Sequence, residues 1–234
     1  MAQIAPKNGN GTDDLFLGFQ ALSGAGASSN LVVDLGAAPS FSLSSFSTII
    51  TALSPGLTGL YGSNWATRTD LTWGLIGAAY PAVSGGDAAN TLYASTLTGS
   101  PAWNRASASA QGTQRANVFI LGGQYQTDYN NAQWSTGGSA GGTGGIVMAS
   151  TEAGSWASQT TYLGNSFGGF NGGIQALVTQ NLDLYKLAPG SGAGALVGTL
   201  SLTAVPEPST NALIAVTSIA LVGYMIRRRN VAKA

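Results

Sequence analysis

Residues 194–205 read GALVGTLSLTAV. In an extended chain Leu196, Gly198, Leu200 and Leu202 fall on one face, and Val197, Thr199, Ser201 and Thr203 on the other. A period of two with one apolar side and one Ser/Thr side is the pattern of a half-buried antiparallel strand. The same kind of short apolar segment, bounded by Gly, Ser, Asn or Pro, recurs at 13–22 (DDLFLGFQAL), 30–35 (NLVVDL), 70–80 (DLTWGLIGAAY), 90–95 (NTLYAS), 173–178 (GIQALV) and 182–187 (LDLYKL). Many short strands with turn signals between them predict a mainly β protein.

Helical spacing is confined to insertions. SLSSFSTIITAL puts Leu43, Phe46, Ile50 and Leu53 on one helix face, with Ser44 or Ser45 as N-cap and Pro55-Gly56 as a stop. A second helix is expected within 107–125, where the run VFIL also suits a strand and Gly112 weakens a helix. There is no repeat of solenoid or propeller period, and STGGSAGGTGG at 135–145 reads as a surface loop. The expected architecture is a single antiparallel β-sandwich-like domain over 13–205 with short helical insertions, in which the first strand (Leu15 to Phe19) and the last (Leu196 to Leu202) can sit near one another.

Composition narrows the chemistry. The chain of 234 residues holds 34 Gly and is only 8% charged, about a third of the usual share, while 44% of it is apolar. It has no Cys and no His, which excludes disulfides and the common zinc ligand sets. Gly137-Gly138-Ser139-Ala140-Gly141 fits G-x-S-x-G, but a serine without histidine lacks the usual base, and no strand leads into it. That loop also lacks the Gly-Lys-Ser/Thr ending of a phosphate-binding loop.

The acids of the body are Asp13, Asp14, Asp34, Asp70, Asp87, Asp128, Asp183 and Glu152. No pair among them is singled out by spacing for glycoside hydrolysis. Asp87 and the Asp13-Asp14 pair have oxygen ligands nearby, yet no calcium loop pattern is present and Asp in Gly-rich turns serves as a local cap. No enzyme activity, cofactor or metal site is therefore expected.

The aromatic residues Trp65, Trp73, Trp103, Trp134 and Trp156, with Tyr61, Tyr80, Tyr93, Tyr125, Tyr129 and Tyr162, offer a surface for stacking sugars. Trp73 is in phase with Leu71 and Leu75 and reads as core. Trp103 and Trp134 sit among polar neighbours and are the candidate carbohydrate-stacking residues.

Charge is divided unevenly. Residues 206–234 carry +3 and residues 1–205 carry −3. A faintly acidic body argues against nucleic acid as a partner, and the basic end reads as membrane-facing. Ala212 to Ile226 is free of charge and as a helix would reach about 22 Å, short of the roughly 30 Å hydrocarbon core. Arg227, Arg228 and Arg229 follow at once, where cations hold the cytoplasmic end of a span. Upstream, Val205-Pro206-Glu207-Pro208 makes a stiff extended step, because each proline fixes its own φ and restricts the residue before it.

This order of features, VPEP, apolar helix and terminal arginines, resembles the PEP-CTERM sorting signal of exported bacterial proteins. The resemblance covers 206–234 and implies a tail recognised in the inner membrane by an exosortase and cut near the Pro-Glu-Pro step. It implies a body outside the membrane, at the cell envelope, cell surface or extracellular matrix of bacteria that make exopolysaccharide. DDLFLGF and LDLYKL also look like segments of uncharacterised secreted proteins with such tails.

Residues 1–12 read as a flexible segment without the basic and apolar regions of an export leader. Ala2-Gln3 resembles the start of a mature chain after signal peptidase, so the leader is expected to be missing. The function expected from these readings is a structural or adhesive role outside the cell. The alternatives are an exopolysaccharide-binding module and a subunit that self-associates through strand edges, which have few charged guards here.

Overall fold

The computed structural model describes residues 14–38, 46–79, 87–131, 145–152, 154–159 and 180–202. The chain divides into Met1–Ala204 and Val205–Ala234, and every described residue belongs to the first unit. Its strands are β1 (Asp14–Ala21), β2 (Ser29–Ala37), β3 (Leu71–Ala78), β4 (Leu92–Leu97), β5 (Ile146–Ala149), β6 (Gln180–Leu187) and β7 (Ala195–Leu202). Its helices are α1 (Phe46–Tyr61) and α2 (Ala108–Asn130), with a 3-10 turn at Trp65–Thr67. The protein is mainly β, as the strand patterns predict; the expected segment at 173–178 lies outside the described residues.

All seven strands form one open sheet in the order β5-β2-β1-β3-β4-β6-β7, and every neighbouring pair is antiparallel. This corrects the expected sandwich. β1 is buried at all but one position and β3 at every position, so both faces of the sheet centre are covered. On one face Leu15, Leu17, Phe19, Leu31, Trp73, Leu75, Leu182, Leu184 and Leu200 pack with Leu53, Leu57 and Tyr61 of α1. On the other, Phe16, Val32, Ile76, Ala94, Ile146 and Met148 pack with Val118, Leu121 and Tyr125 of α2 and with Trp156. Helices, in place of a second sheet, supply the covering layers.

The first and last strands, expected near one another, are separated in the sheet, since β3, β4 and β6 stand between β1 and β7. Sheet order follows from pairing between distant segments, which local periodicity does not carry.

Helix α1 runs through Pro55-Gly56 instead of stopping there. A proline in a helix interior costs about 3 kcal/mol. Burial of Leu57 and Tyr61 beyond it offsets this, at about 1.5–3 kcal/mol for each large side chain. The Tyr61 hydroxyl also donates to the Phe19 carbonyl at 2.8 Å and accepts from the Leu31 amide at 3.1 Å, so the helix end is fastened across paired residues of β1 and β2. Ser44 and Ser45 lie outside the described residues.

For α2 the helical alternative holds, VFIL included, and the helix extends to Asn130. Ser107 is its N-cap, accepting from the Ala110 amide at 3.3 Å. Gln111, Gln114, Val118, Leu121, Tyr125 and Asp128 form its buried stripe. Gln111 Nε2 donates to the Leu187 carbonyl at 2.9 Å, which ties α2 to the end of β6.

One point of the sheet has no side chain of its own. Gly18 of β1 is paired with Gly74 of β3, and the Trp156 indole lies so close to Gly18 that an added Cβ would sit 1.9 Å from the ring.

Candidate functional site

The predicted sorting residues Val205, Pro206, Glu207 and Pro208, the stop residues Arg227, Arg228 and Arg229, the apolar run 212–226 and Trp134 lie outside the described residues, as does Gly137 to Gly141. Among the described residues no helix is long and apolar enough to cross a membrane.

Trp103 is 5% exposed, and its indole Nε1 donates to the Ser95 carbonyl at 3.0 Å. A ring enclosed in this way presents no face to a sugar, so the structure places Trp103 in the core beneath α2 and not on an open stacking surface. Trp65, Trp73 and Trp156 are buried as well.

The acids fall into two kinds. Some are held by cations or hydroxyls at the sheet margins. Asp87 takes a hydrogen bond from the Tyr93 hydroxyl and an ion pair from Lys186, which turns both carboxylate oxygens inward to the protein. Asp183 Oδ1 accepts from Thr98 at 2.9 Å and Thr199 at 2.7 Å. Asp70 is gripped by Arg68 through two hydrogen bonds and takes a third from Ser23, and the Arg68 hydrogen bonds hold its carboxyl well below the usual carboxylate range.

The other kind is buried between the sheet and α2. Asp14 of β1 and Asp34 of β2 are close in register, since Asp14 pairs with Ala37 and Phe16 with Asp34 across a bulge. Both carboxyls are buried, Asp34 being 6% exposed. Asp34 Oδ1 accepts from the Gly36 amide at 2.7 Å, while Oδ2 meets no donor among the described residues. Burial, then the charge of Asp14, pushes Asp34 up to about 8 against the opposing Gly36 hydrogen bond.

Tyr125 of α2 closes this pocket from above. Its ring stands 5.7 Å from that of Phe16, and its phenol is hydrogen-bonded to the backbone of Asp34. Burial raises the phenol well above its ordinary value, and the charge of Asp34 adds to the shift.

One turn further along α2, Asp128 is fully buried, with Oδ1 accepting from Gln124 Nε2 at 2.9 Å. Asp128 Oδ2 and Glu152 Oε2, beyond β5, are both buried oxygens that meet no donor among the described residues. Burial pushes Asp128 up to about 6, with the charge and hydrogen bonding of Glu152 adding to the rise and the Gln124 hydrogen bond opposing it.

The sheet margins differ in length. β5 closes one side with four residues, and β7 closes the other with eight, ALVGTLSL, none of them charged or proline. Among the described residues no strand pairs with the outer side of β7. Its inner side is fixed by backbone pairing to β6 and by Ser201 Oγ donating to Asn181 Oδ1 at 2.6 Å and Thr199 to Asp183.

A bulge interrupts the expected alternation in β7. Gly198 pairs with Leu184 and Leu196 with Tyr185, so Val197 is the extra residue and Leu196 leaves the face of Leu200. Leu196 is 56% and Val197 38% exposed.

Neither the acid pairs nor the position of β7 at a margin was singled out from the sequence. The signal for the first is Asp34 itself, an acid closing the apolar run NLVV; for the second it is the absence of any charge in the segment 195–202. No known protein family, curated protein or solved structure matches the chain.

Proposed function

We propose that this is an exported protein of the bacterial cell surface or extracellular matrix, with a structural or adhesive role exerted through association of its β sheet. The observation that carries the role is the margin strand β7, eight residues without a charge or a proline and with Leu196 and Val197 open to solvent. Edge strands of monomeric proteins carry lysines, prolines or covering segments that prevent pairing. The β7 bulge is the one such device on this strand among the described residues.

The export part of the proposal rests on the order of VPEP, apolar run and arginines in 205–229, with the membrane and an exosortase-type enzyme as transient partners. Its test is the intact mass of protein taken from the producing cell. A chain ending near Pro206 to Pro208, recovered from the surface or medium, is expected. Cytosolic material still ending in Ala234 refutes export.

The role is tested by sedimentation velocity across a wide concentration range. The wild-type protein is expected to gain mass with concentration, and Leu196→Lys to stay monomeric with an unchanged circular dichroism spectrum. A wild-type protein that is monomeric throughout overturns the role. Exopolysaccharide binding has less support, because every described tryptophan is buried; saturable polysaccharide binding lost in Trp134→Ala would favour it instead.

A further inference from the structure

We propose that α2 is a proton-controlled latch, seated on the sheet only while two buried carboxyl pairs beneath its last turns, Asp14 with Asp34 and Asp128 with Glu152, each retain a proton. The geometry comes first. Both pairs lie where the final turns of α2 meet the strands, one under Tyr125 and one on the helix at Asp128. A buried ionised carboxylate needs a donor or a cation for each oxygen. Asp34 has one donor, Gly36, for two oxygens, and in the second pair Asp128 Oδ2 and Glu152 Oε2 have none. A proton on each pair supplies the missing donor and removes one of two like charges.

Among the described residues no cation acts on Asp34 or Asp128. Among the described residues the groups acting on Asp34 are Asp14 from β1 and the Gly36 amide from the loop end of β2, with Tyr125 facing it from α2. Tyr129 and Asp128 are the other ionisable groups on that part of the helix, and β3 and β5 contribute none. Arg115, the single cation of α2, lies over the Phe119 ring at 5.0 Å, thirteen residues before Asp128. Asp128 also sits in the last turn, where the negative end of the helix dipole disfavours a second negative charge.

The direction follows from linkage. In an opened state, with α2 lifted, Asp34 and Asp128 return to ordinary carboxylate behaviour near 3.8. Asp34, pushed up to about 8 when α2 is seated, then holds a proton that the opened state has released. Seating is thus fully favoured below the ordinary carboxylate value and weakens as pH rises toward 8, about tenfold for each pH unit. Above 8 both states are ionised and the dependence ends. Asp128, at about 6, adds a second contribution confined to the range between 3.8 and about 6. An acidic surrounding therefore locks α2 down, and a mildly alkaline one frees it.

The experiment is hydrogen exchange of the 121–130 amides in the full chain from pH 5 to pH 8, corrected for the intrinsic pH dependence of exchange, with the amides of β1 and β3 as reference. Protection of 121–130 is expected to fall by two to three powers of ten and to lie, at every pH, below that of the reference amides, whose exchange needs global unfolding. Asp34→Asn keeps the acceptor for Gly36 and should remove most of the slope; Asp128→Asn should remove only the part below pH 6. Wild-type protection that is flat over this range overturns the latch. So does an Asp34→Asn protein that keeps the full slope, or 121–130 amides that are as well protected as the reference amides at every pH, which marks global unfolding as the sole opening. If Asp34→Asn fails to fold, the wild-type profile and Asp128→Asn still decide.

Discussion

Gly18→Ala lowers stability by about 3–5 kcal/mol and Tm by about 10 °C, because the new methyl and the Trp156 indole cannot occupy one place. The Cβ would lie 1.9 Å from Cδ2 and 2.2 Å from Cε3 of Trp156, far inside van der Waals contact. Gly18 is central in β1, in register with Val32 of β2 on one side and Gly74 of β3 on the other, so the backbone cannot recede. The indole must leave instead, and removing a buried tryptophan from its contacts costs about as much as deleting it. Urea and thermal denaturation measure the loss. The double variant Gly18→Ala/Trp156→Ala is expected to be far less destabilised than the sum of the two single changes, since both disturb the same contact. An additive double variant, or a single Gly18→Ala that melts with the wild type, contradicts this packing.

Arg68→Ala is expected to cost about 2–4 kcal/mol. Its guanidinium makes five hydrogen bonds: to Asp70 Oδ1 at 2.9 Å and Oδ2 at 2.7 Å, and to the carbonyls of Ser23 at 2.6 Å, Ala25 at 2.7 Å and Tyr61 at 2.9 Å. Those partners belong to the turn between β1 and β2, the end of α1 and the approach to β3. One planar group therefore closes the corner where three segments meet, and Arg68→Lys, with a point charge in place of a fork, recovers less than half of the loss. The same corner sets an acid limit. Asp70 is held below its ordinary value, so its pairing contributes above the carboxylate range and is lost as pH falls through it. Asp34 has the opposite sign, losing stability from about 4 up to about 8. The wild-type protein is accordingly expected to be most stable near pH 4–5 and to weaken on both sides, whereas Arg68→Ala lacks the acid-side decline. A denaturation series against pH checks both signs.

The strands were legible because their apolar runs are short and end at Gly, Ser, Asn or Pro, as DLFLGFQA and LTWGLIGA show. The second covering layer was not. The inward stripe of α2 includes Gln111, Gln114 and Asp128 beside Val118, Leu121 and Tyr125, so hydrophobic spacing hides a helix that is nonetheless buried. The nearly unbroken apolar runs Leu15 to Phe19 in β1 and Trp73 to Ala78 in β3 were the sequence's own sign of a sheet covered on both sides. Pro55-Gly56 misled because propensity is local, while the bridge from Tyr61 to Phe19 and Leu31 spans forty-two and thirty residues. Val197 broke the alternation of β7 for a similar reason, since a bulge is defined by its partner strand. At the candidate site the sorting tail was wholly a matter of sequence, whereas the exposed margin and the acid pairs depend on which strands meet.

The unequal margins of the sheet bear on stoichiometry. Were two copies to join β7 to β7 about a twofold axis, each would use up the long margin of the other, and among the described residues the strand left at either flank would be the four-residue β5. On that geometry association would halt at a pair instead of running on into a filament.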